Sequence, residues 1–271
     1  MQEMRVDGLY GRYYSGDKGT IVMLHGLLSS MGEFGDYPEK FNSSGYAVLI
    51  IDFEGHGKSA GKRGYESIEK NIKNLEKWIE HLKNGNLLNR PLIIMGHSLG
   101  AATTIYALAR GIGDMGVALA PPSSIKEELN AGERIGLPLI YAFGKLVEKI
   151  TGRDYYINYR VDYSSLFTDE KLADRARKLN YLENKLWIGS YKPLMSVDTL
   201  TQARKVHRPC MVVIPSEDRV VKPENGRRVY DALSGPKEIY IAEGYGHSIM
   251  LADRGDVFER ILKFIERQRN K

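Results

Sequence analysis

Six short apolar runs rich in β-branched residues recur along this chain, each followed by glycine or by a helical pattern. They cover residues 20–25, 46–52, 91–96, 115–118, 209–215 and 238–242. Their hydrophobicity is nearly continuous instead of alternating, which suits strands buried on both faces of a parallel sheet. Between the second and third runs, Ile68, Ile72, Leu75, Trp78, Ile79 and Leu82 recur at helical spacing, with Glu69, Lys70, Lys73, Glu76 and Lys77 on the opposite face. Val257, Phe258, Ile261, Leu262 and Ile265 repeat the pattern near the C-terminus. Strand and helix alternate over residues 20–120 and again from about 198 to 267, which predicts a doubly wound α/β sheet with helices on both faces.

Residues 121–197 break that rhythm. They open on Pro121-Pro122 and contain no buried-strand run, only helical pieces and polar turns, and seven of the 17 tyrosines fall among them. A structureless loop of that length is rare, so the expectation is a helical lobe with its own small aromatic core. It would be inserted into a core formed by residues 1–120 and 198–271.

The chemistry concentrates behind the apolar runs. Gly96-His97-Ser98-Leu99-Gly100 lies between a strand pattern and a helix pattern. A strand-to-helix turn that tight exposes the serine hydroxyl, and the helix N-terminus favours developing negative charge beside it. A serine needs a base, and the base an orienting acid. Of six histidines, His247 follows the last strand run, and Asp218 follows the one before it. The order Ser98, Asp218, His247 places all three behind strands, where open α/β sheets build their sites. Glu217 competes for the acid role; the apolar Val220-Val221 after Asp218 favours Asp218. The backbone N–H groups of Leu99 and Leu27 are the expected oxyanion donors, and His25 reads as a brace for the loop that carries Leu27.

A phosphate-binding alternative fails on context. Gly57-Lys58-Ser59 resembles a P-loop tail, but Asp52 occupies the first glycine position, and Gly61 and Gly64 delay the following helix. No metal-ligand motif is present, and no cofactor is expected.

Together, Leu24-His25-Gly26-Leu27, the stretch from Asp52 to Ser59, the Ser98 pentapeptide, Ser216-Glu217-Asp218-Arg219-Val220-Val221 and Gly246-His247 resemble the serine α/β-hydrolases of the monoacylglycerol lipase and lysophospholipase type. The resemblance implies an α/β-hydrolase fold, with an eight-stranded, mostly parallel sheet and a cap over a Ser-Asp-His triad. It also implies hydrolysis of a small-molecule acyl ester. Serine at position 98 argues against the dehalogenase and epoxide-hydrolase branches, which attack with aspartate there. A small soluble ester or peptide remains an alternative substrate, and a non-catalytic binding protein an alternative role.

The most apolar part of the lobe, residues 135–144, is the candidate lid, facing inward to an acyl chain or outward to a lipid layer. Leu28, Leu139, Ile140, Phe143 and Val220 are the candidate substrate contacts. Composition narrows the remaining classes. With 42% hydrophobic and 27% charged residues the chain is neither disordered nor fibrous. A net charge of +5, evenly spread, gives no nucleic-acid footprint. One cysteine excludes an internal disulfide, and neither a signal peptide nor a membrane span is visible. The expectation is a cytoplasmic protein, with contact to a membrane surface limited to the cap.

Overall fold

The computed structural model describes residues 1–159 and 161–270. Eight strands form one sheet: β1 (Gln2–Val6), β2 (Leu9–Tyr14), β3 (Thr20–Leu24), β4 (Ala47–Asp52), β5 (Leu92–His97), β6 (Met115–Leu119), and then β9 (Cys210–Pro215) and β10 (Lys237–Ala242). Their order is β1-β2-β4-β3-β5-β6-β9-β10; β2 is antiparallel to both its neighbours, β1 and β4, and the six strands from β4 to β10 in that order are mutually parallel. This is the α/β-hydrolase fold.

Strands β3 to β6 and β9 are buried along their whole length because helices cover both faces. Alternate side chains serve opposite layers. Ile21, Met23, Ile93 and Met95 pack with Phe41, Ile261 and Phe264 from helices Tyr37–Ser43 and Asp256–Arg269. Val22, Leu24, Leu92 and Ile94 pack with Ile72, Leu75, Trp78 and Ala102 from helices Ile68–Asn84 and Leu99–Ala109. Cys210 is buried in a third cluster with Val212, Ile214 and Val229.

The β1–β2 hairpin was not among the six runs expected. Its outer strand is charged and mostly exposed, so no apolar signal marks it. Asp7 and Gly8 both adopt positive φ, at 49° and 82°, which is the backbone of the two-residue turn that joins right-twisted strands.

Between β6 and β9 the chain builds helices Ile125–Glu128, Ala131–Thr151, Tyr163–Leu166, Glu170–Leu179 and Tyr191–Met195. It also builds an antiparallel pair, β7 (Tyr156–Asn158) and β8 (Lys185–Trp187), where only helices and turns were expected. Three residues per strand, none fully buried, leave too short a pattern to read. The tyrosines do not gather into one core. They pair locally, Tyr141 on Tyr191 and Tyr163 on Tyr181, beside a small cluster of Leu166, Phe167, Ala173, Ala176 and Tyr181. Hydrogen bonds dock this segment on the loops behind the strands: Glu183 N to Leu28 O, Ser30 Oγ to Tyr181 O, and Trp187 N to Gly64 O.

Candidate active site

Ser98 is the single residue between β5 and helix Leu99–Ala109, at φ 54° and ψ −117°. That conformation is strained for any residue with a side chain, and close packing holds it. A Cβ on Gly96 would lie 2.0 Å from the Gly100 carbonyl oxygen, and one on Gly100 2.1 Å from that of Leu24. Both positions therefore require glycine.

Asp218 and His247 stand on the loops after β9 and β10, both buried. Asp218 Oδ1 accepts the amides of Val220 and Val221 at 2.8 and 2.9 Å, while Oδ2 lies 2.7 Å from His247 Nδ1. Glu217 is exposed and makes no such contact. With Nδ1–H directed at the carboxylate, Nε2 is the ring nitrogen free to exchange a proton. Ser98 and His247 line one cavity of ≈ 240 Å³. Contacts between such groups often tighten only with substrate in place.

The loop after β3 brings Leu27 and Leu28 to the same cavity. The amides on either side of Leu27 are occupied, Gly26 N by Glu33 and Leu28 N by Glu66. Leu99 opens its helix, so its N–H has no acceptor within that helix. His25 braces the loop, accepting Phe53 N on Nε2 at 3.0 Å. Asp52 holds a turn, accepting the amides of Met31 and Lys58 at 2.8 Å each, and Ser59 Oγ returns to the Asp52 carbonyl. That stretch is structural.

Of the candidate substrate contacts, Leu28 and Val220 line the cavity. Leu139, Ile140 and Phe143 do not: they lie on the outer side of helix Ala131–Thr151, 67%, 40% and 57% exposed. The inward row carries Leu137 instead, because Gly144 on the opposite face from the exposed row packs against Tyr155 and Ile188 of the same segment. Leu137 lines a second, apolar chamber of ≈ 140 Å³ with Ile125, Leu129, Ile157, Leu186 and Leu194. Leu27, Leu28 and Tyr159 border both spaces.

Sequence reasoning passed over several cavity groups. Tyr181, Asp162, Ser165 and Ser248 add polar groups to the lining of the Ser98 cavity, and Glu33 and His97 also border it beside the serine. Burial alone would raise the Glu33 carboxyl, but His97 outweighs it and holds it below the ordinary carboxylate range. Burial likewise opposes charge on His97, and Glu33 overrides it, holding the imidazole above its usual value.

Among known proteins, a monoacylglycerol lipase of Mycolicibacterium smegmatis is 24% identical over 226 residues, 80% of this chain and 76% of its own. A polyketide transferase of Stachybotrys chlorohalonatus is 24% identical across 97% of this chain and 94% of its own. The crystal structure of a Paleococcus ferrophilus monoacylglycerol lipase aligns with a TM-score of 0.77 at 23% identity, covering 97% of this chain and 98% of that one, which shows a shared fold. Residues 15–254 match the family model described as serine aminopeptidase, S33. The chain belongs to that family of α/β-hydrolases.

Proposed function

We propose that this protein is a serine carboxylic-ester hydrolase that cleaves single-chain acyl esters of the monoacylglycerol or lysophospholipid kind. The observation that carries the reading is the apolar chamber beside the Ser98 cavity, which shares Leu27, Leu28 and Tyr159 with it. An acyl chain gains transfer free energy by entering such a chamber, on the order of 0.8 kcal/mol per buried methylene. The polar lining groups Asp162, Ser165, Tyr181 and Ser248 suit the alcohol half of the ester. Segment 121–197 acts as the cap that closes both.

Ser98 Oγ attacks the acyl carbon and passes its proton to His247 Nε2. Asp218 holds the ring tautomer and stabilises the imidazolium. The Leu27 and Leu99 amides hold the oxyanion. His247 then protonates the departing alcohol, and a water, deprotonated by the same nitrogen, releases the acid from the acyl-enzyme.

The outer face of helix Ala131–Thr151 supports a second element of the reading. Ile135, Leu139, Phe143, Leu146 and Ile150 form an exposed stripe at helical spacing, flanked by exposed Arg134, Lys149 and Arg153. Apolar residues beside cations suit an anionic lipid surface. Among the described residues no helix is long and apolar enough to cross a membrane. The buried lone Cys210 fits a reducing compartment.

The test is turnover of nitrophenyl esters of increasing chain length, with Ser98→Ala as control. Rising kcat/KM with chain length, loss of about three orders of magnitude or more in Ser98→Ala, and fluorophosphonate labelling of the native protein only are expected. Preference for acetate, or for an aminoacyl anilide, overturns the lipid assignment; an active Ser98→Ala overturns the mechanism.

A further inference from the structure

The geometry points to Glu66, together with Glu33, as a positioning residue that aims the Leu27 amide at the reacting carbonyl. This rests on the ester-hydrolase reading above. The two carboxylates come from separate parts of the chain, Glu33 from the turn Met31–Phe34 and Glu66 from the loop before helix Ile68–Asn84. Both are almost fully buried, at 4% and 1% exposure. Glu33 Oε1 accepts Gly26 N at 2.9 Å, and Glu66 Oε1 accepts Leu28 N at 2.5 Å. Leu27 lies between these anchors, so the orientation of its peptide plane is set from both ends.

The anchoring is needed because Leu28 sits at φ 51°, a left-handed conformation unfavourable for leucine. Without the Glu66 acceptor, the loop would relax toward ordinary φ and rotate the peptides on both sides of Leu28. Charged acceptors make stronger hydrogen bonds than neutral ones, and each carboxylate here faces a buried imidazole. His56 Nε2 is 3.0 Å from Glu66 Oε1, and His97 Nδ1 is 3.3 Å from Glu33 Oε1. His97 Nε2 in turn lies 2.9 Å from the His247 carbonyl oxygen, so Glu33 also steadies the backbone of the catalytic histidine.

Glu66 has one further attachment. Its own amide donates to Ser190 Oγ in segment 121–197, and Glu183 of that segment donates to the Leu28 carbonyl. Leu28 is thereby held at its N–H by the core and at its C=O by the cap. The oxyanion donor is completed only when the cap is seated.

The experiment compares Glu66→Gln, Glu66→Asp and Glu66→Ala using a nitrophenyl ester. Glutamine keeps a carbonyl acceptor at the right reach but no charge; aspartate keeps the charge but withdraws it by one methylene. If the role is positioning, kcat falls by about 10²–10³ in Glu66→Ala and Glu66→Asp, the scale of losing one oxyanion donor, with KM nearly unchanged. Glu66→Gln should lose less than about tenfold. A trifluoromethyl ketone, whose adduct carries an oxyanion, should weaken in proportion to kcat/KM, while a fatty alcohol competitor should bind as before. Aspartate outperforming glutamine overturns the proposal in favour of a His56 ion pair, as does a loss confined to KM. If alanine fails to fold, the glutamine–aspartate order still decides. A wild-type protein inert to ester and fluorophosphonate would sink the hydrolase reading itself, whereas an active wild type with indifferent Glu66 variants sinks only this inference.

Discussion

The acid role proposed for Asp218 requires a fixed carboxylate, and Asp218 is fixed by two backbone amides on one oxygen while the other faces His247. Replacing it with asparagine keeps an acceptor but permits the wrong histidine tautomer. The expected loss in kcat for Asp218→Asn is about 10³–10⁴. Exposed Glu217→Gln should stay within about twofold, since exposed substitutions rarely disturb a site. Steady-state kinetics on a short nitrophenyl ester reads both, and the reverse ranking would move the acid role to Glu217. That Ser98, Asp218 and His247 follow strands was legible in the sequence, because each stands behind an apolar run. The parts played by Glu33 and Glu66 were not legible. Their meaning lies in backbone amides that tertiary folding brings to them, 7 and 38 residues away, and a glutamate before a helix otherwise reads as an ordinary first-turn acid.

At the scale of elements, helix Ala131–Thr151 shows where periodicity informs and where it misleads. Its apolar content was legible, but its orientation was not, because both faces carry large aliphatic residues. The inner face is recognisable only through Gly144 against Tyr155 and Ile188, contacts that lie beyond any local pattern. The β1–β2 hairpin failed for the opposite reason: its apolar signal is weak, while its Asp7-Gly8 turn was available to be read. The two faces of the helix predict separable effects. Leu137→Ser should lower kcat/KM for a dissolved long-chain ester about tenfold, by removing one half-buried leucine from the chamber wall, and leave an acetate ester alone. Paired Leu139→Ser and Phe143→Ser changes should abolish sedimentation with anionic phosphatidylglycerol vesicles while dissolved esters are hydrolysed as before. Equal loss on acetate and long-chain esters in Leu137→Ser would mean that the helix is packing core; unchanged vesicle binding would remove the lipid-surface role.

Across the whole molecule, the buried ionisable groups set how stability responds to pH. Glu33 and Glu66 remain below their ordinary value of 4.5 because facing imidazoles outweigh the cost of burial. The unfolded chain takes up those protons first, so their stabilisation is present above about pH 4.5 and is lost on acidification. Buried His25, beside His56, is held below 6.5, so it too costs stability as pH drops past that value. His97 has the opposite sign: held above 6.5, it stabilises at lower pH and loses that contribution as pH climbs through its raised value. Below pH 6.5 the His97 contribution no longer changes, so between pH 6.5 and 4 the melting temperature falls first through His25 alone and, below about pH 4.5, also through Glu33 and Glu66. A flat profile in differential scanning fluorimetry over that range would contradict the pairing of these groups.

Cys210, buried at the start of β9, has consequences outside catalysis. Burial pushes its thiol up to about 12, so near neutrality it is neither ionised nor reachable by an alkylating reagent. The folded chain therefore carries a silent background for maleimide chemistry. A thiol introduced on the outer cap face, by Phe143→Cys, would be the one site to react in the native state. A fluorophore or spin label there would report whether the segment moves, with no natural cysteine to be removed first.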